Sequence, residues 1–101
     1  MFGFIRKLFA AQTDFRLLRQ EGAIIMDVRT PAEYSSGHIP GSVNIAVNQL
    51  SLALNDLKKQ NKPVITCCRS GARSAAAVGI LKNAGIEAYN GGSWNELLNK
   101  L

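Results

Sequence analysis

A chain of 101 residues carrying a net charge of +5, with 47% hydrophobic and 19% charged residues, is long enough for one domain and too apolar for disorder. It can bury most of the surface it exposes when unfolded, so it needs no disulfide or metal to hold it. The basic residues are scattered and no run of them exceeds two, Arg6-Lys7 and Lys58-Lys59, which argues against nucleic-acid binding and for a basic solvated surface or an anionic substrate.

The chain opens with "MFGFIRKLFAAQ". On a helix, Met1, Phe2, Phe4, Ile5, Leu8 and Phe9 fall in one arc of about 160°, with Gly3, Arg6, Lys7 and Ala10 opposite. Arg6-Lys7 breaks the continuous apolar core that a secretory signal needs. An isolated helix this short is marginal in water, so something must cover its apolar side. The domain's own surface is the expected cover, and an intermolecular contact or a membrane surface is the alternative. Residues 1–12 are therefore read as an amphipathic extension.

"AIIMDV", Ala23 to Val28, has strand length and is entered through Gly22. "TPAEY" follows, with Thr30 as N-cap, Pro31 at the first helical position and Glu33 three residues beyond the cap, which is a capping box. "SVNIAV", from Ser42, is a weaker strand candidate. Leu50, Leu54 and Leu57 give one helical stripe, ended by "KKQNKP". "PVITCC", Pro63 to Cys68, is a third strand, with proline at its tolerated first position. Ala77, Ile80, Leu81 and Ala84 form the next stripe, with Gly85 ending the helix. "IEAYN" is a fourth strand, and Ser93 with Glu96 makes a second capping box before a terminal helix. None of the strands alternates cleanly with polar residues, as expected of a sheet buried on both faces. Strands alternating with helices imply an α/β fold with a mainly parallel sheet.

In such sheets ligands bind beyond the carboxyl ends of the strands, where helix N-termini point. "VITCCRSGARSAAA", Val64 to Ala77, places Cys68 there. A thiol facing a helix N-terminus, free N–H groups and two arginines is driven toward the nucleophilic thiolate, below its usual pKa of about 8.5. Arg69 and Arg73 stand where positive charge is normally disfavoured. A bound oxyanion would resolve that conflict for Arg73, and Arg69 divides evenly between this role and simple solvation. Ser70 and Gly71 keep the turn small and let the amides curl inward as an anion nest. Two adjacent cysteines close no loop, and with a single histidine they offer no zinc site. The thiols therefore point to a reducing, cytoplasmic compartment and to chemistry rather than structure.

Three blocks carry a family resemblance. "DVRTPAEYSSGHIPGSVNI", Asp27 to Ile45, "CRSGARS", Cys68 to Ser74, and "NGGSW" together resemble a single-domain rhodanese over residues 13–101. Ala46 stands where that family usually has proline, and Cys67 where an aromatic is common. The resemblance implies a rhodanese-like α/β domain, a mainly parallel sheet of about four to five strands flanked by helices on both faces. It implies a ping-pong sulfur transfer in which Cys68 takes the outer sulfur of an anionic donor such as thiosulfate. A thiophilic acceptor (cyanide, a thiol or a partner protein) then removes that sulfur. The amides of Arg69, Ser70, Gly71, Ala72 and Arg73 would hold the transferred sulfur, and Arg69 and Arg73 would attract the donor. No metal or organic cofactor is expected, because the cysteine carries the group itself. Phosphatases and arsenate reductases of similar fold use a loop one residue longer. A non-catalytic sulfur-presenting module is the remaining alternative, though such modules often lose the cysteine.

Other residues receive structural assignments. Cys67 faces away from Cys68 on a strand and is expected to be a small core residue. His38 is expected to be a turn residue and Trp94 a packing residue. Asp27, Arg29 and Ser74 are expected to orient the loops, with Arg29 pairing with Glu33.

Overall fold

The computed structural model describes residues 13–101, and the amphipathic segment 1–12 lies outside them. The elements run α1 (Phe15–Gln20), β1 (Ile24–Asp27), α2 (Pro31–Ser35), β2 (Val43–Asn44), a 3-10 helix (Val47–Ala53), α3 (Leu54–Gln60), β3 (Val64–Cys68), α4 (Ala72–Asn83), β4 (Ala88–Ser93) and α5 (Trp94–Lys100). The four strands form one wholly parallel sheet in the order β2-β1-β3-β4.

Alternation along the central strands divides the core in two. Met26 and Val64 face the side covered by the 3-10 helix, α3 and α4, where Leu50, Leu57, Ala77 and Leu81 are buried. Ile25, Ile65 and Cys67 face the other side, against Leu97 of α5 and Ile39, with Phe15 and Leu18 of α1 packed alongside. Every residue of β3 is buried, which explains why Thr66 is its only polar side chain besides the thiols.

The helix signals map closely. Thr30 and Glu33 form the full capping box of α2. Ser93 Oγ caps α5 by accepting from Glu96 N. α4 ends in a Schellman pattern: Gly85 holds φ +83°, its N–H donates to Lys82 O, and Ile86 N–H donates to Leu81 O. Asp14 caps α1, a helix that the sequence reading did not assign.

Three segments differ from the sequence reading. "SVNIAV" keeps only Val43–Asn44 as strand, because the chain turns into the 3-10 helix at Val47. The Ile45 and Val47 amides still donate to Asp27 and Val28, so the edge pairing outlasts the regular strand. The leucine stripe is split, with Leu50 on the 3-10 helix and Leu57 on α3, yet both reach the same core. β4 begins later than "IEAYN" and continues through Gly91 and Gly92 to Ser93. There Thr66 pairs with Asn90 and Cys68 with Ser93, so β4 bulges. A Cβ on Gly91 would lie 2.7 Å from both Thr66 O and Leu97 Cδ2, so only glycine fits there.

Candidate active site

β3 ends at Cys68 and α4 begins at Ala72, so residues 68–73 curl at the carboxyl edge of the sheet. Gly71 is the N-cap of α4 and holds φ +100°, a conformation that strains any other residue. That turn aims its amide inward: Gly71 N–H donates to Cys68 Sγ at 2.9 Å. Ser74 Oγ lies 3.7 Å from the same sulfur. Burial pushes the Cys68 thiol up, but the amide and hydroxyl of Ser74 and the amides of Gly71 and Ser70 outweigh it and hold the thiol below its ordinary value.

Cys67 has the opposite setting. Its side chain is fully buried on the other face of the sheet. Burial, with the nearby Asp27 charge, pushes its thiol up to about 12. Two cysteines adjacent in sequence thus have thiols shifted in opposite directions.

The turn is tied down from β4. Ser74 Oγ donates to Asn90 Oδ1 at 2.5 Å, with Gly71 O a second acceptor at 3.0 Å. Asn90 Oδ1 also accepts from Gly92 N, and its Nδ2 donates to Gly71 O. Thr66 Oγ1 donates to Ser74 O at 3.0 Å, fixing the first turn of α4 onto β3. Sequence reasoning missed Asn90 and Thr66 as supports of the loop. The only available signal was the position of Asn90 at the head of "NGGSW".

The arginines divide. Arg69 is exposed and makes no ion pair among the described residues. Arg73 is paired: its Nη1 and Nη2 donate to Glu33 Oε1 and Oε2 at 2.7 and 3.0 Å. The expected Arg29–Glu33 ion pair is therefore corrected. Arg29 Nη1 reaches only the Glu33 carbonyl oxygen. Its ionic partner is Asp27, which accepts from Nε and Nη2 at 2.7–3.0 Å. Both residues are buried at the end of β1, and proximity decides the pairing because Asp27 lies two residues away on the same strand edge. Arg29 also donates to Gly37 O and lies 5.0 Å over the Trp94 ring, joining β1, the loop after α2 and α5. His38 stacks on Tyr34 at 3.7 Å and donates from Nδ1 to Tyr34 O, which makes it part of the turn after α2.

A nucleophilic thiol in an amide-lined turn between a buried parallel strand and a helix has a match among known families. The rhodanese-like domain family model covers residues 11–99. The chain belongs to the rhodanese-like domain family. A sulfurtransferase of Allochromatium vinosum is 34% identical over 70 residues, covering 69% of this chain and 64% of the relative, so this chain spans just under two thirds of that protein. The thiosulfate sulfurtransferase GlpE of Pseudoalteromonas translucida is 37% identical over 78 residues, or 76% of this chain and 71% of the relative. A rhodanese-like domain protein from Staphylococcus aureus superposes with a TM-score of 0.68 at 33% identity, covering 75% of this chain and 74% of that one. Sulfur transfer in general is thus the activity named among this chain's relatives. Among its described residues no helix is long and apolar enough to cross a membrane.

Proposed function

We propose that this chain is a sulfurtransferase that carries a sulfane sulfur as a persulfide on Cys68. The single observation supporting this most directly is the amide of Gly71 donating to Cys68 Sγ at 2.9 Å within a turn that lowers the thiol pKa. The Cys68 thiolate attacks the outer sulfur of an anionic donor. With thiosulfate the donor's S–S bond breaks, sulfite leaves with the electron pair, and Cys68 becomes a persulfide. A cyanide, thiol or partner-protein acceptor then attacks the terminal sulfur and restores the thiolate. The amides of Arg69 to Arg73 are suited to hold the terminal sulfur anion, and Arg69 and Arg73 supply positive charge at the mouth. Ser74 keeps the loop in place, and the Asp27–Arg29 pair farther back holds α2 and the turn after it. The chemistry belongs to the cysteine, so the reaction as written needs no cofactor.

Intact-mass analysis after incubation with thiosulfate tests the proposal. A gain of one sulfur atom that maps to Cys68 and disappears on adding cyanide, with thiocyanate formed, is the expected result. A chain that gains no sulfur at Cys68 from thiosulfate or from any other sulfane-sulfur donor would overturn it and favour a non-catalytic role.

A further inference from the structure

Glu33 lies 40 residues from Arg73 in sequence, yet it engages this second arginine of the nucleophile's loop with both carboxylate oxygens. It cannot easily turn away. Its Oε1 also accepts from Thr30 N and Thr30 Oγ1, both at 3.1 Å, while its own amide donates to Thr30 Oγ1. The carboxylate is thus locked into the cap of α2, and the Arg73 hydrogen bonds hold it far below the usual carboxylate range, at about 2. It is ionised at any working pH. The side chains of the pair are only about one-third exposed, so solvent screens it incompletely.

The consequence is a charge count. Arg69 and Arg73 together offer two cations to an incoming donor, and Glu33 cancels one. The neighbouring Asp27–Arg29 pair is neutral in itself, and Cys67 is protonated. Apart from the Cys68 thiolate, which every donor meets alike, these side chains therefore present one net positive charge to the donor. A donor with two negative charges must either displace Glu33 from Arg73, breaking two charge-assisted hydrogen bonds, or carry its second charge against a carboxylate.

We propose that Glu33 is a specificity-determining residue that matches this site to monoanionic sulfane-sulfur donors, thiosulfonates and thiol persulfides, over dianionic thiosulfate. This rests on the persulfide reading of Cys68. With a thiosulfonate, Cys68 thiolate takes the terminal sulfur, the S–S bond breaks and a sulfinate leaves. With a thiol persulfide the leaving group is the thiolate. In both cases the charges balance and Cys68 ends as the same persulfide.

The test compares three donors: thiosulfate, methanethiosulfonate (the same reacting bond with one charge fewer) and the persulfide of 2-mercaptoethanol. Second-order rates of Cys68 persulfide formation are read by mass spectrometry. Glu33→Gln retains an oxygen able to accept from Thr30 N, so the helix cap survives while the charge goes. Its rate ratio of thiosulfate to methanethiosulfonate should rise about tenfold over the parent. Arg73→Gln leaves Glu33 unneutralised, and the same ratio should fall; the double variant should return toward the parent. The 2-mercaptoethanol persulfide should follow methanethiosulfonate in every variant. A latch that merely shapes the loop would move both single variants in one direction, and that outcome, or ratios unchanged within about twofold, overturns the proposal. If the two monoanions diverge, size rather than charge is selected, and the proposal also fails. A parent chain that takes sulfur from none of the three defeats the persulfide reading itself, a result distinct from the others.

Discussion

The backbone N–H of Gly71 donates to Cys68 Sγ at 2.9 Å. This bond exists because Gly71 occupies φ +100°, which turns its amide into the loop rather than along it. A sulfur bearing negative charge gains from such a donor. Cys67, one residue back, faces the opposite layer of the core and gains nothing of the kind.

Replacing each cysteine by serine separates these settings. Cys68→Ser should abolish thiosulfate:cyanide transfer and the gain of sulfur mass. Cys67→Ser should retain both, at some cost in stability, because it puts a hydroxyl into a fully buried apolar site. Loss of all transfer in a folded Cys67→Ser protein would reverse the assignment.

The rate of Cys68 alkylation by iodoacetamide should climb through a pKa below that of the same thiol in the unfolded chain, since the group's pKa is lowered in the fold. Ser74→Ala removes one of the hydrogen-bonding groups around the sulfur and should move the profile to higher pH. Cys67, with its thiol at about 12, should react only after denaturant is added. Equal labelling of both thiols in the native protein would contradict this account.

Arg69→Ala with Arg73→Ala should lower kcat/KM for thiosulfate by about ten- to a hundredfold, the loss expected for removed charge-assisted contacts. The melting temperature should fall only modestly, by the share of stability that the partly exposed Arg73–Glu33 pair supplies, because Arg69 is exposed and makes no ion pair among the described residues. Normal thiosulfate kinetics in the double variant would remove both residues from donor capture.

The lowered pKa of Glu33 carries a stability prediction. A carboxyl whose pKa falls on folding contributes stability above its unfolded value, and the contribution is lost as pH drops through the folded value. For Glu33 that window runs from about 4.5 down to about 2. Urea midpoints measured across it should fall more steeply for the parent than for Glu33→Gln. Parallel curves would show that the Arg73 contact contributes nothing in solution.

The buried Asp27–Arg29 pair should behave differently from the surface one. Asp27→Ala strands a guanidinium that is 4% exposed, and the loss should be about 3–5 kcal/mol by urea unfolding. A loss below about 1 kcal/mol would mean that Gly37 O and Glu33 O suffice to satisfy Arg29.

Much of this molecule follows from local sequence. The largely apolar run of β3, the Thr30–Glu33 box and the glycine after α4 each encode an element through contacts within a few residues, so they are legible without the fold. The position of Cys68 at a strand's carboxyl end is legible for the same reason, as is the opposite facing of Cys67, because strand side chains alternate. The curtailed β2 and the bulge in β4 are not, since both depend on how neighbouring strands and α5 pack against them. Nor are the loop's partners. Glu33 reads as a helix cap, and nothing local shows that its carboxylate also meets Arg73, or that Asn90 accepts from Ser74. Those contacts span 40 and 16 residues, and only the parallel crossovers that bring α2, β3 and β4 to one edge of the sheet create them. Local sequence thus determined which thiol lies in the turn and which in the core, because geometry within one strand and one turn decides it. Tertiary structure decided which charges surround that thiol, because pairing between distant side chains depends on where the chain returns.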